Sequence, residues 1–173
     1  MSQTIDLTSL SCAVLTVSDT RTLAEDKSGA LLAELLTADG HRLADRAIVR
    51  DDIYAIRAQA SQWIADPEVS VILTTGGTGF TGRDSTPEAL SVLFDKTING
   101  FGELFRQLSF AEIGPSTIQS RCVGGIANGT LVFALPGSSN AVRTGWEKIL
   151  HHQLNINAKP CNFAELIPRF LER

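Results

Sequence analysis

A chain of 173 residues with 43% hydrophobic content is long enough to build a sizeable shared core and falls within the usual size of one domain. Fifteen Lys and Arg against nineteen Asp and Glu leave a net charge of -4 and a pI near 5.3, which excludes the broad basic face that a nucleic-acid backbone requires. An anionic ligand must then be held locally, by backbone donors, a placed cation or a metal.

The amino terminus, MSQTIDLTSLSCAV, has no basic stretch ahead of an apolar one. No run of about 18 apolar residues occurs anywhere, so neither export nor a membrane span is expected. Cys12, Cys122 and Cys161 are odd in number, widely spaced and set among apolar neighbours; they read as buried, reduced thiols of a cytoplasmic protein.

Ser11 to Ser18 reads as a buried strand. Lys27 to Asp39 follows as a helix, with Ala30, Leu31, Leu35 and Leu36 on one face, Asp26 as its N-cap and Gly40 as its stop. A weaker strand, Arg42 to Val49, leads through Arg50, Asp51 and Asp52 into a helical segment carrying Ile53, Ile56, Ala60, Trp63 and Ile64, which ends at Asp66-Pro67. Val69 to Thr75 is the third strand, and a glycine-rich loop follows it. Ser85-Thr86-Pro87-Glu88 then opens a helix, either as a Ser85/Glu88 capping box or as Thr86 capping with proline at the first position.

Phe101 to Phe110 reads as a further helix, stopped before Gly114-Pro115. Its Phe101, Leu104, Phe105, Leu108 and Phe110 exceed what one face of a short helix buries in its own core, so part of that surface is expected to meet another subunit. Asn128-Gly129 between Val123 to Ala127 and Thr130 to Leu135 signals a hairpin, and hence one antiparallel strand in an otherwise parallel sheet. Pro136 to Ser139 opens a last helix, from about Asn140 to His151. His151-His152, in adjacent helical positions that face different ways, is assigned no role.

This alternation predicts a doubly wound, three-layer α/β/α sandwich with a mostly parallel, mixed sheet, spanning 1–173 as one domain. Ligands of such sheets sit beyond the carboxyl ends of the strands, where four polar clusters fall: Ser18-Asp19, Asp51-Asp52, Thr75 to Asp84, and Pro136 to Ser139.

The loop TTGGTGFTGRDSTPEA imitates two nucleotide motifs and satisfies neither. A dinucleotide fingerprint follows the first strand of its unit and needs an acid ending the next strand, whereas this loop follows the third strand and Asp95 belongs to a helix. A P-loop needs Lys-Ser or Lys-Thr after its last glycine, where Arg83-Asp84 stands. What remains is the physics both motifs share, with glycines letting backbone N–H groups close on an anion. Thr74 to Gly79 is therefore expected to hold a phosphorylated small molecule.

In chain order, TVSD (Thr16 to Asp19), TTGGTG (Thr74 to Gly79), RDSTPEA (Arg83 to Ala89), GFGELFRQLS (Gly100 to Ser109), SR (Ser120-Arg121) and LPGS (Leu135 to Ser138) together resemble the MogA/MoaB family of molybdenum-cofactor biosynthesis. AIRAQ (Ala55 to Gln59) and KPCNF (Lys159 to Phe163) resemble its bacterial MoaB branch. The resemblance implies a molybdopterin-binding fold, a trimeric or hexameric homo-oligomer in contact with other proteins of the pathway, and adenylyl transfer from Mg-ATP to the terminal phosphate of molybdopterin. The alternative is a non-catalytic molybdopterin or nucleotide binder. It also implies catalytic, Mg-holding roles for Asp51 and Asp84, and a ligand pocket formed by Ser18, Asp19, Thr75, Gly76, Gly77, Thr78, Gly79, Thr86, Pro136, Gly137 and Ser138.

Charge arithmetic supports the metal independently. Unit charges 4 Å apart repel by about 1 kcal/mol in water and about 4 kcal/mol at an effective dielectric of 20. Two carboxylates facing a polyphosphate therefore oppose binding unless a divalent cation lies between them, and Mg²⁺ suits a site of one or two carboxylates with phosphate oxygens and water.

Overall fold

Six strands form one sheet in the order β2-β1-β3-β6-β5-β4. The computed structural model describes residues 6–172, so the reading of the amino terminus at residues 1–5 lies outside the described residues. The strands β1 (Ser11–Val17), β2 (Arg42–Val49), β3 (Val71–Thr75) and β6 (Thr130–Leu135) run parallel. β5 (Val123–Ala127) pairs antiparallel with β6, and β4 (Lys96–Thr97) pairs antiparallel with β5. The hairpin turn takes positive φ at both Asn128 and Gly129, which Asn-Gly supplies at little steric cost.

Strand alternation divides the core into two. Cys12 and Val14, Val71 and Leu73, and Leu131 and Phe133 face α1 (Lys27–Ala38), α4 (Asn99–Ile113) and α5 (Ser139–Gly145). Ala13, Leu15 and Val17, Ile72, and Val132 and Ala134 face α2 (Ile53–Ile64) and α3 (Thr86–Ser91). The result is three layers, with β1, β3 and β6 wholly buried and β2 half-exposed at the sheet edge, where its Arg and Asp residues are tolerated. No described helix is long and apolar enough to cross a membrane.

Caps set where the helices begin. Asp26 accepts from Gly29 N at 2.9 Å and starts α1; Asp52 accepts from Tyr54 N and Ala55 N at 3.0 and 2.8 Å and starts α2. α5 continues through a π-helical stretch, Trp146–Leu150, to Gln153.

Several expectations change. α4 begins two residues before Phe101 and buries Phe101 and Phe105 in the core, leaving Leu104 and Phe110 as the exposed apolar members of that run. Cys12 and Cys122 are buried, and burial pushes the Cys12 thiol up to about 12, but Cys161 is exposed. β4, two residues long, carries too little pattern for sequence reading.

Candidate functional site

The carboxyl ends of β1, β2, β3 and β6 meet around one loop. Gly76 N–H donates to Leu135 O at 3.0 Å, and the Thr75 hydroxyl donates to Pro136 O at 3.1 Å, so the glycine loop is stitched to the turn after β6. Gly137 packs so closely there that a Cβ on it would sit 3.1 Å from Gly76 Cα. Gly76 and Gly77 have φ of 101° and 65°, in the left-handed region that favours glycine. A Cβ on Gly77 would also lie 2.7 Å from Asp51 Oδ2, and one on Gly79 would lie 2.8 Å from Asp84 Oδ2.

Both aspartates therefore border the loop, and neither is a helix N-cap. Asp51 Oδ1 accepts from Ser85 N at 3.0 Å and from the Ser85 hydroxyl at 2.6 Å, while its Oδ2 faces Gly77. Asp84 Oδ2 accepts from Thr81 N at 2.8 Å and the Thr81 hydroxyl at 2.7 Å, closing the tip of the loop on itself. Burial acts to raise the Asp84 carboxyl, but the Thr81 hydroxyl and amide, the Gly79 amide and the Arg121 charge outweigh it and hold it below the ordinary carboxylate value.

The anticipated caps of α3 do not form. Ser85 stands at the N-cap position, yet its hydroxyl goes to Asp51; Thr86 donates to Gly76 O at 2.8 Å, and Glu88 pairs with Arg121. The hydroxyls that a local reading assigns to a helix start are spent on Asp51 and on the loop instead.

A cavity of about 400 Å³ opens above the loop, within the size range of small-molecule sites. Of the residues the sequence singled out, Ser18, Gly76 to Gly79, Asp84, Pro136 and Gly137 line it. Thr75 and Thr86 are buried beneath and hold the loop's shape. Asp51 stands beside Gly77, and Ser138 caps α5 by accepting from Ala141 N at 3.1 Å. Asp19 lies toward solvent, where its carboxylate takes two hydrogen bonds from Arg83, at 2.9 and 2.6 Å, and one from Asp51 N at 3.1 Å. Arg83 is the main reason the Asp19 carboxyl is held below its ordinary value.

The sequence pattern assigns no role to five further lining residues, Val17, Thr20, Arg21, Gln119 and Ser120. The Ser18 hydroxyl accepts from Thr20 N and Arg21 N at 3.3 and 3.2 Å, and this turn brings the cationic Arg21 to the cavity. Arg121 belongs to the Ser120-Arg121 motif, which by itself assigns the side chain no role. Its Nε donates to Gly79 O at 2.7 Å, its Nη2 to Asp84 O at 2.9 Å, and its guanidinium lies 4.9 Å from the Phe80 ring centroid. One side chain thus braces both ends of the Gly79–Asp84 segment.

Among the described residues, no three His, Cys, Asp or Glu side chains group to hold a metal. His151 instead contacts Asp39, with Nδ1 2.7 Å from Oδ2, away from the loop.

Residues 13–155 match the family model described as "Probable molybdopterin binding domain". The chain is 55% identical over 151 residues to molybdenum cofactor biosynthesis protein B of Escherichia coli K12, covering 87% of this chain and 89% of that one. With the Bacillus cereus protein of the same name it shares 48% over 144 residues, 83% of this chain and 85% of that one. A crystal structure of a molybdenum cofactor biosynthesis protein B superposes with a TM-score of 0.82 at 47% identity, covering 84% of this chain and 91% of that one. The tungsten cofactor synthesizing protein MoaB from Pyrococcus furiosus does so with a TM-score of 0.74 at 41% identity, over 82% of this chain and 91% of that one.

Proposed function

The chain belongs to the MoaB/MogA family of molybdenum cofactor biosynthesis proteins, and from that premise we propose that it transfers an adenylyl group from Mg-ATP to the terminal phosphate of molybdopterin. The observation that carries this reading is the convergence of Asp51 and Asp84 on Gly77 and Gly79 of one anion-cradling loop. In the step, a terminal phosphate oxygen of molybdopterin bonds to the α-phosphorus of ATP. The bond from that phosphorus to the bridging oxygen breaks, and pyrophosphate leaves with the electron pair.

The residues present fit magnesium. Asp51 meets its hydrogen bonds through Oδ1 and turns Oδ2 to Gly77, and Asp84 stays ionised, so two hard oxygen donors flank the loop, Asp84 lining the cavity itself and Asp51 standing behind Gly77. When bound there, Mg²⁺ would neutralise phosphate charge and polarise the phosphoryl oxygens. The loop amides and the Arg21 guanidinium orient the phosphates at the cavity. No general base is needed, because a phosphomonoester with a second pKa near 6 is largely ionised at neutral pH. Consistent with that, Arg21 and Asp84 are the titratable residues that line the cavity.

One observation favours the non-catalytic reading: both aspartates already fasten the loop, through Ser85 and Thr81, so a binder would also need them. Incubation with molybdopterin, ATP and Mg²⁺ separates the two. Adenylylated pterin and pyrophosphate are expected, whereas both ligands bound without product would establish the binder.

The reading extends to assembly as a homo-oligomer, a trimer or a hexamer, supported by the exposed apolar side chains of Leu104, Phe110 and Ile113 along α4. Light scattering should return at least three times the 18.6 kDa of one chain, and a mass of 18.6 kDa at every concentration would refute it.

A further inference from the structure

The motif Gly100 to Ser109 takes no part in the cavity described above. It meets the Ser120-Arg121 pair at a second cavity, of about 450 Å³, and Ser120 lines both, so the two spaces adjoin. α4 can lie this close to β5 because Gly102 has no side chain; a Cβ there would sit 2.5 Å from Cys122 O.

The walls of this second cavity are of two kinds. Ile98, Ile118 and Val123 make it apolar, while Glu103 and Arg106, three residues apart on one face of α4, give it a polar edge. No hydrogen bond or ion pair among the described residues engages the Glu103 carboxylate. The Arg106 guanidinium commits one nitrogen, Nη1, to Ser120 O at 3.3 Å. A carboxylate acceptor and a partly spent guanidinium donor side by side, beneath an apolar wall, suit a flat heterocycle that offers donors and an acceptor along one edge.

We propose that the second cavity seats the pterin ring, with Glu103 and Arg106 reading its 2-amino-4-oxo edge while the phosphates lie over the glycine loop. The ring amino group and ring N–H donate to the Glu103 carboxylate, and the 4-oxo group accepts from Arg106. Adenine has neither the ring N–H nor the oxo group on that edge, so the same pair discriminates a pterin from the adenine of ATP. This rests on the adenylyl-transfer reading for the identity of the ligand.

The test uses the full chain and measures the binding of molybdopterin and of ATP separately. Glu103→Gln and Glu103→Ala should each weaken molybdopterin about tenfold or more and leave ATP within about twofold, since the lost partner is a charged acceptor for two donors. Glu103 is exposed and without a described partner, so neither change should lower the melting temperature. If the wild type binds molybdopterin and both variants bind it equally well, the seat is wrong and the reading of the glycine loop stands. If the wild type does not bind molybdopterin, both fall. A change of oligomeric mass in Glu103→Ala with unaltered molybdopterin binding would make this face a contact between copies, and would overturn the proposal.

Discussion

The carboxylate that starts α1 and the two that border the glycine loop are the same chemical group in opposite surroundings. Asp26 is 2% exposed, and both of its oxygens are spent. Oδ1 accepts from Gly29 N at 2.9 Å and the Ser28 hydroxyl at 3.4 Å, and Oδ2 accepts from the Thr16 hydroxyl at 2.7 Å and from Arg46 at 2.9 Å. Asp51 and Asp84 are only partly buried, and the hydrogen bonds to each fall on a single oxygen. A carboxylate with every lone pair engaged holds structure, because a ligand can reach it only by breaking what it holds. One that keeps an oxygen in reserve beside the glycine loop can meet a ligand without breaking what it holds, as the proposed function requires.

If that contrast is right, Asp26→Asn should act on stability alone. Removing one member of a buried, hydrogen-bonded ion pair costs about 3 kcal/mol, and here it leaves Arg46, whose buried Nε has no partner among the described residues, facing a neutral group. Urea unfolding should show that loss, while turnover per folded molecule should match the wild type; a loss of activity without a loss of stability would erase the distinction.

Asp84→Asn should do the reverse. The amide keeps the volume and an oxygen for Thr81, so the melting temperature should hold while adenylyl transfer falls by at least about tenfold. Unchanged turnover would overturn the metal-holding role proposed for Asp84.

Gly77→Val sharpens the comparison, because it pushes a side chain between the loop and Asp51. The positive φ costs about 1 to 3 kcal/mol locally, and nucleotide and pterin binding should fall by about tenfold or more with the sheet intact by circular dichroism. Equal binding in this variant would show that the loop is not the cradle.

The smallest effect expected at neutral pH is that of protonation at Asp26. Burial acts to raise this carboxyl, and the bonds from Arg46, Thr16 and Gly29 outweigh it, so the folded value lies below the unfolded one. Its contribution is therefore complete above the unfolded value, near 3.9, and is lost as the pH falls through the lower folded value. Stability should be flat in this respect from pH 5 to 7, and the wild-type and Asp26→Asn curves should converge only in acid.

Much of this contrast could be read from the residues. Asp26 precedes a helical period and Asp52 precedes another, and both prove to be caps, because a cap is a local interaction within three residues. The strand and hairpin signals are likewise local, and the corresponding strands and the β5–β6 hairpin form. What the chain did not disclose was tertiary. Ser85 and Thr86 have the pattern of a helix start and spend their hydroxyls on Asp51 and Gly76, residues that reach them only once the sheet has formed. Arg121 lies far from the loop in sequence, and its brace on Gly79 and Asp84 depends on where the segment after α4 crosses the site. Phe105 has an apolar pattern that does not distinguish a subunit contact from the core, and the core claims it.

The uneven placement of the thiols has a practical consequence. Thiolate is the species that alkylates, and burial raises the Cys12 thiol to about 12 and pushes Cys122 up as well, whereas Cys161 is exposed. A maleimide dye at neutral pH should therefore attach at one position in the native chain and at three after denaturation. Native wild-type protein thus accepts a single fluorescent label without any engineered cysteine, and the count of labelled thiols doubles as a measure of how much of a variant is folded.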